Sequence, residues 1–270
     1  MATETESSFT NRDAVPSVTQ DARFRAGQKL KQSGRVHLGA IHMFEILADR
    51  AEDEFGITSI ETAAVYYELG HSIFLNLTCH RENSTDPANE ERSKANTLED
   101  ALEYMAKSCS ILYAHGQNHD QNHDDDDDPP AITASTKYQY QYQNQYQEWA
   151  RDQIPRVLIG IGNIQSYQHK HADAIDSYMN AVPYREAASD ACRKETHQSS
   201  ASLKRHRLFA ESHVLIAEEL LISMAYYSSS PPSDLVHSET GLIIVKADQV
   251  TTLAKTYYEQ GKEKLQDIGK

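Results

Sequence analysis

His115, His119 and His123 stand four residues apart with Asp120 and Asp124 beside them, a spacing that on a helix would gather metal ligands on one face. They fall in the run NHDQNHDDDDDPP, whose composition offers no packed second shell to orient ligands. We therefore expect neither a fixed metal site nor a cofactor. Cys79, Cys109 and Cys192 are far apart and form no CxxC pair, which points to neither a zinc site nor a disulfide framework. No HExxH, GxSxG, Walker or GxGxxG pattern is present. With no activated nucleophile and no paired acid and base, the chain reads as a binder and not as an enzyme.

Charge narrows what could be bound. Asp and Glu number 40 against 26 Lys and Arg, a formal net charge of −14. Nucleic acid is a poor partner, because phosphate contacts need clustered Lys and Arg. A basic protein suits this field by steering and by complementarity. The run Asp124, Asp125, Asp126, Asp127 and Asp128 could screen a basic surface as a flexible polyanion. It could equally be a tolerated loop insertion. The polar start MATETESSFTNRD is unlike a targeting peptide, and no apolar run approaches the ~20 residues of a membrane helix. These features predict a protein of the cytosol or nucleus with no membrane contact.

Apolar residues recur at helical spacing through most of the chain, with few Gly and Pro. The expected organisation is a disordered stretch over 1–18, then two helical hairpins over 19–114, the second interrupted by a loop at 80–94. An acidic and Gln/Tyr-rich disordered loop is expected over 115–146. A third hairpin and the first helix of a fourth should occupy 147–227, then a loop over 228–237 and a capping helix over 238–268. Helices in pairs imply a repeat architecture, which must be sought before other folds.

The clearest repeat covers 155–188. In the tetratricopeptide pattern of about 34 residues, small residues mark where the two helices of a hairpin approach. Gly162 takes that place, and Ala174, Tyr178 and Ala181 follow 12, 16 and 19 residues later, where the pattern wants Ala, an aromatic and Ala. Leu69-Gly70 supplies the same pair in a second repeat, with Ala101 and Met105 on its displaced partner helix. Gly27, Gly34, Ala40 and Phe44 fit a first repeat, and Ile216-Ala217 a fourth. The fold class is therefore all-α, a tetratricopeptide-repeat superhelix of four helical hairpins whose last helix also serves as the cap.

The concave groove of such a superhelix is lined by the first helix of each pair. Counting from the landmarks gives Asp21, Phe24 and Gln28, then Tyr67, His71 and Phe74. The third repeat offers Arg156, Ile159, Asn163 and Tyr167, and the fourth Glu211, Val214 and Glu218. Acids interleaved with aromatics suit a peptide bearing Arg and apolar anchors. Glu211 and Glu218 could also be solvated helix-face charges, and Tyr67 and Phe74 inter-helix core.

Two stretches carry a resemblance. EDEFGITSIETAAVYYELGHSIFLNL (52–77) and RHRLFAESHVLIAEELL (205–221) resemble segments of the nuclear autoantigenic sperm protein class of histone chaperones. Residues 154–181 fit that family's third repeat without a gap, and the likeness spans roughly 22–227. It implies a superhelix that binds histone H3, usually with H4, and in some members linker histone H1. It also implies a nuclear protein, with shuttling through the cytoplasm a further option, and it singles out Glu211 for an Arg contact. The chain departs from the family in three ways. The loop inside the second repeat is mixed in charge, the Asp run lies after that repeat, and Val214 stands where the family favours an aromatic. Lys204, Arg205 and Arg207 are too few for an import signal. The sequence leaves the oligomeric state open between monomer and dimer. A cochaperone adaptor needs Lys and Asn where Phe24 and Gln28 stand, and a general scaffold for another peptide is the remaining alternative.

Overall fold

The computed structural model describes residues 16–33, 37–80, 96–117, 134–193, 200–226 and 233–268. Among them run eight α-helices. These are α1 (Ala22–Gln32), α2 (His37–Phe55), α3 (Ile60–His80) and α4 (Leu98–Gln117). Then follow α5 (Ala134–Tyr167), α6 (His171–Arg193), α7 (Ser200–Tyr226) and α8 (Val250–Ile268). Each packs on the next in sequence, so the chain is an all-α helical-repeat superhelix built of four antiparallel hairpins.

Local chemistry sets the helix ends. Gly56 takes φ +88 after α2, a left-handed conformation that glycine adopts without a Cβ penalty. Its N–H bonds Glu52 O, and Ser59 Oγ then accepts from Thr62 N at 3.1 Å to cap α3. Thr97 and Asp100 make a reciprocal box at the start of α4: Asp100 N donates to Thr97 Oγ1 and Thr97 N to Asp100 Oδ2. The α5–α6 turn is closed by His169 at φ 61.

Within each of the first three hairpins a glycine admits a large neighbour. A Cβ on Gly27 would lie 2.7 Å from the Phe44 ring, and one on Gly70 2.7 Å from the Ala101 carbonyl and 3.0 Å from Met105. One on Gly162 would overlap the Tyr178 ring. The small–large spacing in the sequence is thus the imprint of helix contact. Two cores result. One runs through α1 to α5 around Phe44, Leu69, Met105 and Ile154, and the other joins α6, α7 and α8 around Ile175, Ile216 and Leu220. Each such side chain, buried from water, contributes about 1.5–3 kcal/mol.

Several sequence expectations need correction. Residues 16–18 are not part of a disordered start: a 3₁₀ turn spans Ser17–Gln20 and Val18 is buried. Of the loop expected over 115–146, residues 115–117 continue α4 and 134–146 belong to α5, while 118–133 lie outside the described residues. The Gln/Tyr tract is therefore helical. Gln has good helix propensity, and extending a helix that is already packed needs no new nucleus. The third repeat accordingly starts before 147. The capping helix does not begin at 238. Leu235–Val236 and Ile243–Val245 form an antiparallel hairpin, and α8 starts only at Val250. The β-branched run Ile243-Ile244-Val245 and Gly241 at φ +67 favour strand and turn here. Buried Asp173 holds the hairpin, accepting Ser238 N at 2.7 Å and the Ser238 hydroxyl. The loop insertion assigned to 80–94 lies almost wholly outside the described residues; its first residue, His80, closes α3.

His213 sits at the α7–α8 seam, packed edge-on against Phe209 and facing Tyr257. Burial lowers its pKa from the ordinary value; the Phe209 carbonyl opposes that shift, nearby Lys264 adds to it and Glu186 offsets it. A base with a depressed folded pKa leaves stability unaffected above its unfolded value of about 6.5 and erodes it as pH falls below. Thermal unfolding of the wild type should therefore fall with pH from 7 towards 5 more steeply than that of His213→Gln. Parallel curves would remove His213 as the cause.

Candidate functional site

The concave face carries two adjoining cavities. The N-terminal one, about 320 Å³, is walled by Phe24, Leu112, Trp149 and Val157, with Gln28 and Glu68 at its polar side. The larger, about 550 Å³, lies between α3, α5, α6 and α7. Tyr67 and Arg156 line both, and the Arg156 guanidinium stands 5.1 Å from the centre of the Tyr67 ring. This cation–π pair stands where the two cavities meet, the smaller one holding Phe24 and Trp149 and the larger one most of the cations. Burial raises the Tyr67 pKa, and Arg156 pulls it partly back.

The larger half is cationic. Arg156, Arg185, Lys204 and Arg205 line it against one carboxylate, Asp152. Asp152 is paired with Arg205 at 3.3 Å. Arg185 is nine-tenths buried, and its Nη1 donates to Leu208 O at 2.8 Å. Burial lowers its pKa to about 10, the charge of Glu211 being the main influence in the other direction. The walls between these charges are Ile159, Tyr184 and Leu208.

Of the residues expected in the groove, Tyr67, His71, Arg156, Ile159 and Asn163 line this cavity together. His71 Nδ1 is 3.3 Å from Lys31 Nζ, and Lys31 is ion-paired with buried Glu68. Gln28 also bonds Glu68, at 3.1 Å. Asn163 Oδ1 accepts from the Tyr178 hydroxyl at 2.8 Å, so the amide hydrogens remain as its donors. Phe74 is half-buried, edge-on to Tyr167 at 6.1 Å, and serves the seam between α3 and α5.

Four expected residues stand elsewhere. Asp21 is the N-cap of α1, accepting Arg23 N at 2.7 Å and pairing with Arg50 at 3.0 Å, so its oxygens are already engaged. Val214 faces α8, where a Cβ on Gly261 would meet its methyl at 2.9 Å. A short aliphatic residue is needed there by the helix contact. Glu211 and Glu218 are at the surface and line neither cavity; Glu211 pairs with Arg207 at 2.7 Å along α7. Asp124 to Asp128 lie outside the described residues, as do His119 and His123. His115 Nε2 is 3.0 Å from the Thr58 carbonyl. Among the described residues no cluster of His, Cys, Asp and Glu is placed to hold a metal, and no helix is long and apolar enough to cross a membrane.

Sequence reasoning missed Arg185 and the groove position of Lys204 and Arg205. A signal for Arg185 exists: it falls on the stripe Ala174, Tyr178, Ala181, Arg185, the buried face of α6. A lone cation on a buried stripe is rarely without a role. Glu219 was also missed. It belongs to the buried stripe of Ser212, Ile216 and Ser223, and it ties α7 to the α5–α6 turn through His171 Nδ1 at 2.7 Å and the Ser166 hydroxyl at 2.8 Å. The sequence matches no protein-family model and no curated protein.

Proposed function

We propose that the protein is a histone chaperone that holds H3, together with H4, against its concave face and performs no catalysis. The observation that carries the reading is the pair of adjoining cavities, about 320 and 550 Å³, that share Tyr67 and Arg156. The choice of histone rests on the resemblance of 52–77 and 205–221 to that chaperone class. In this reading the apolar half around Phe24 and Trp149 takes the anchors of an amphipathic histone segment. Glu211 and Glu218, at the surface outside the two cavities, take Arg and Lys of the histone beyond the anchored segment, and the net charge of −14 steers the encounter. Linker histone H1 is a further basic partner on the same argument, and nuclear localisation follows from the partner.

The cationic floor favours a second reading, a repeat adaptor for an acidic peptide. The two are separated by titrating the protein with H3–H4, with an isolated H3 C-terminal helix peptide and with an acidic chaperone C-terminal peptide, at low and physiological salt. Binding of both histone ligands at physiological salt supports the chaperone; binding of the acidic chaperone peptide alone supports the adaptor. Glu211→Lys should weaken the H3 peptide about tenfold, the size of one charge-assisted hydrogen bond. Unchanged affinity would remove Glu211 from the site.

A further inference from the structure

Arg185 presents a problem that the fold itself does not solve. Its side chain is buried, one nitrogen is held by the Leu208 carbonyl, and its Nε has no hydrogen-bond partner. No described carboxylate forms an ion pair with it: Asp152 is engaged by Arg205 and Glu211 by Arg207. The charge of Glu211 offsets only part of the burial, and a buried charge without an ion-pair partner is unfavourable. Arg156, Lys204 and Arg205 line the same cavity and add to the positive potential. In a protein of net charge −14 this is a local reversal of sign.

We infer that the larger half of the groove is a carboxylate-binding site, with Arg185 as the anchor for an Asp or Glu side chain of a bound protein segment. A planar guanidinium matches a carboxylate, and Arg156 and Lys204 line the same cavity as further donors. The adjoining cavity, with Trp149 and Leu112 in its wall, selects a peptide over a free anion. A segment with an acidic residue near a large apolar one would place the first at Arg185 and the second beside Trp149 and Phe24, across the Tyr67–Arg156 pair. Such a partner is acidic at the anchor whatever the charge of the rest of it. The inference goes beyond the histone reading and stands on the groove alone.

The test uses the full chain and a fluorescein-labelled, end-blocked peptide of repeating Leu-Glu-Glu, beside its Leu-Gln-Gln and Leu-Lys-Lys counterparts. The Glu peptide should bind at least about tenfold tighter than the other two, and should perturb the emission of Trp149, the single tryptophan. Arg185→Met should weaken it about tenfold without loss of helicity. Should that variant fail to fold, Arg156→Glu with Lys204→Glu, both at exposed positions, should produce the same loss. Equal binding of the Glu and Gln peptides, or wild-type binding by the folded variants, would overturn the inference. Competition by inorganic phosphate as effective as that of the peptide would overturn it in favour of a simple anion site. Histone titration enters none of these readings, so failure of the chaperone proposal and failure of this one are distinguishable.

Discussion

Glu219→Ala should destabilise the protein by about 4 kcal/mol, lowering the thermal midpoint by about 8–16 °C. Glu219 and His171 are both nearly inaccessible, and the carboxylate is the acceptor for the Ser166 hydroxyl and the partner of His171 Nδ1. Removing it leaves two polar groups facing a cavity in which water cannot replace both bonds. The damage falls at the turn between α5 and α6, where Tyr226 of α7 also packs on His169 and His171. Glu219→Gln keeps an acceptor of the same shape and should cost about 1.5 kcal/mol. Calorimetry of the two variants beside the wild type checks the ranking. Equal, small losses would show that the network contributes little to holding α7.

Gly70→Ala should cost about 2 kcal/mol, although alanine is the better helix former. Propensity alone would favour alanine by about 1 kcal/mol. The added methyl would press on the Ala101 carbonyl at 2.7 Å and on Met105 at 3.0 Å, and a backbone carbonyl cannot rotate away. The helices α3 and α4 must separate, at about 3 kcal/mol. Gly116→Ala is the control: its methyl would meet Arg151 and Ile154 at an ordinary 3.5 Å, so a gain of about 0.5 kcal/mol is expected. Opposite signs for the same substitution support the contact account. A stabilised Gly70→Ala would contradict it.

These two residues illustrate what the sequence discloses. Gly70, Gly162 and Gly27 were legible because close helix approach demands a small residue and leaves a fixed offset to the large one. Gly27 with Phe44 and Gly162 with Tyr178 are therefore readable as contacts before any coordinates. The hairpin at 235–245 was not, because three Ile and Val residues in a row fit a buried helix as well as a strand. The tract at 134–146 was hidden by low complexity, which speaks to packing and not to backbone conformation.

The groove was half legible. Tyr67, His71, Arg156, Ile159 and Asn163 follow from position counting along first helices. Arg185 does not, because it comes from a second helix, and Lys204 and Arg205 precede the counted positions of α7. The acids chosen by counting were displaced for local reasons. Asp21 was taken by helix capping, Glu211 by an i,i+4 pair with Arg207, and the adjacent Glu219, one position from Glu218, is the acid that the core uses. A one-residue difference on a helix turns a side chain by about 100°. Position counting without the neighbouring helices cannot settle which of two adjacent acids turns inward.

The central claim is that this groove holds the protein partner. Ala188 lines it from α6, is half-buried and belongs to neither core, so Ala188→Trp would fill much of the cavity from its wall. The direct measurement is the affinity of wild type and Ala188→Trp for H3–H4 at physiological salt, with unfolding followed in parallel. The account predicts at least a tenfold loss at unchanged thermal midpoint. Wild-type affinity in the folded variant would contradict it.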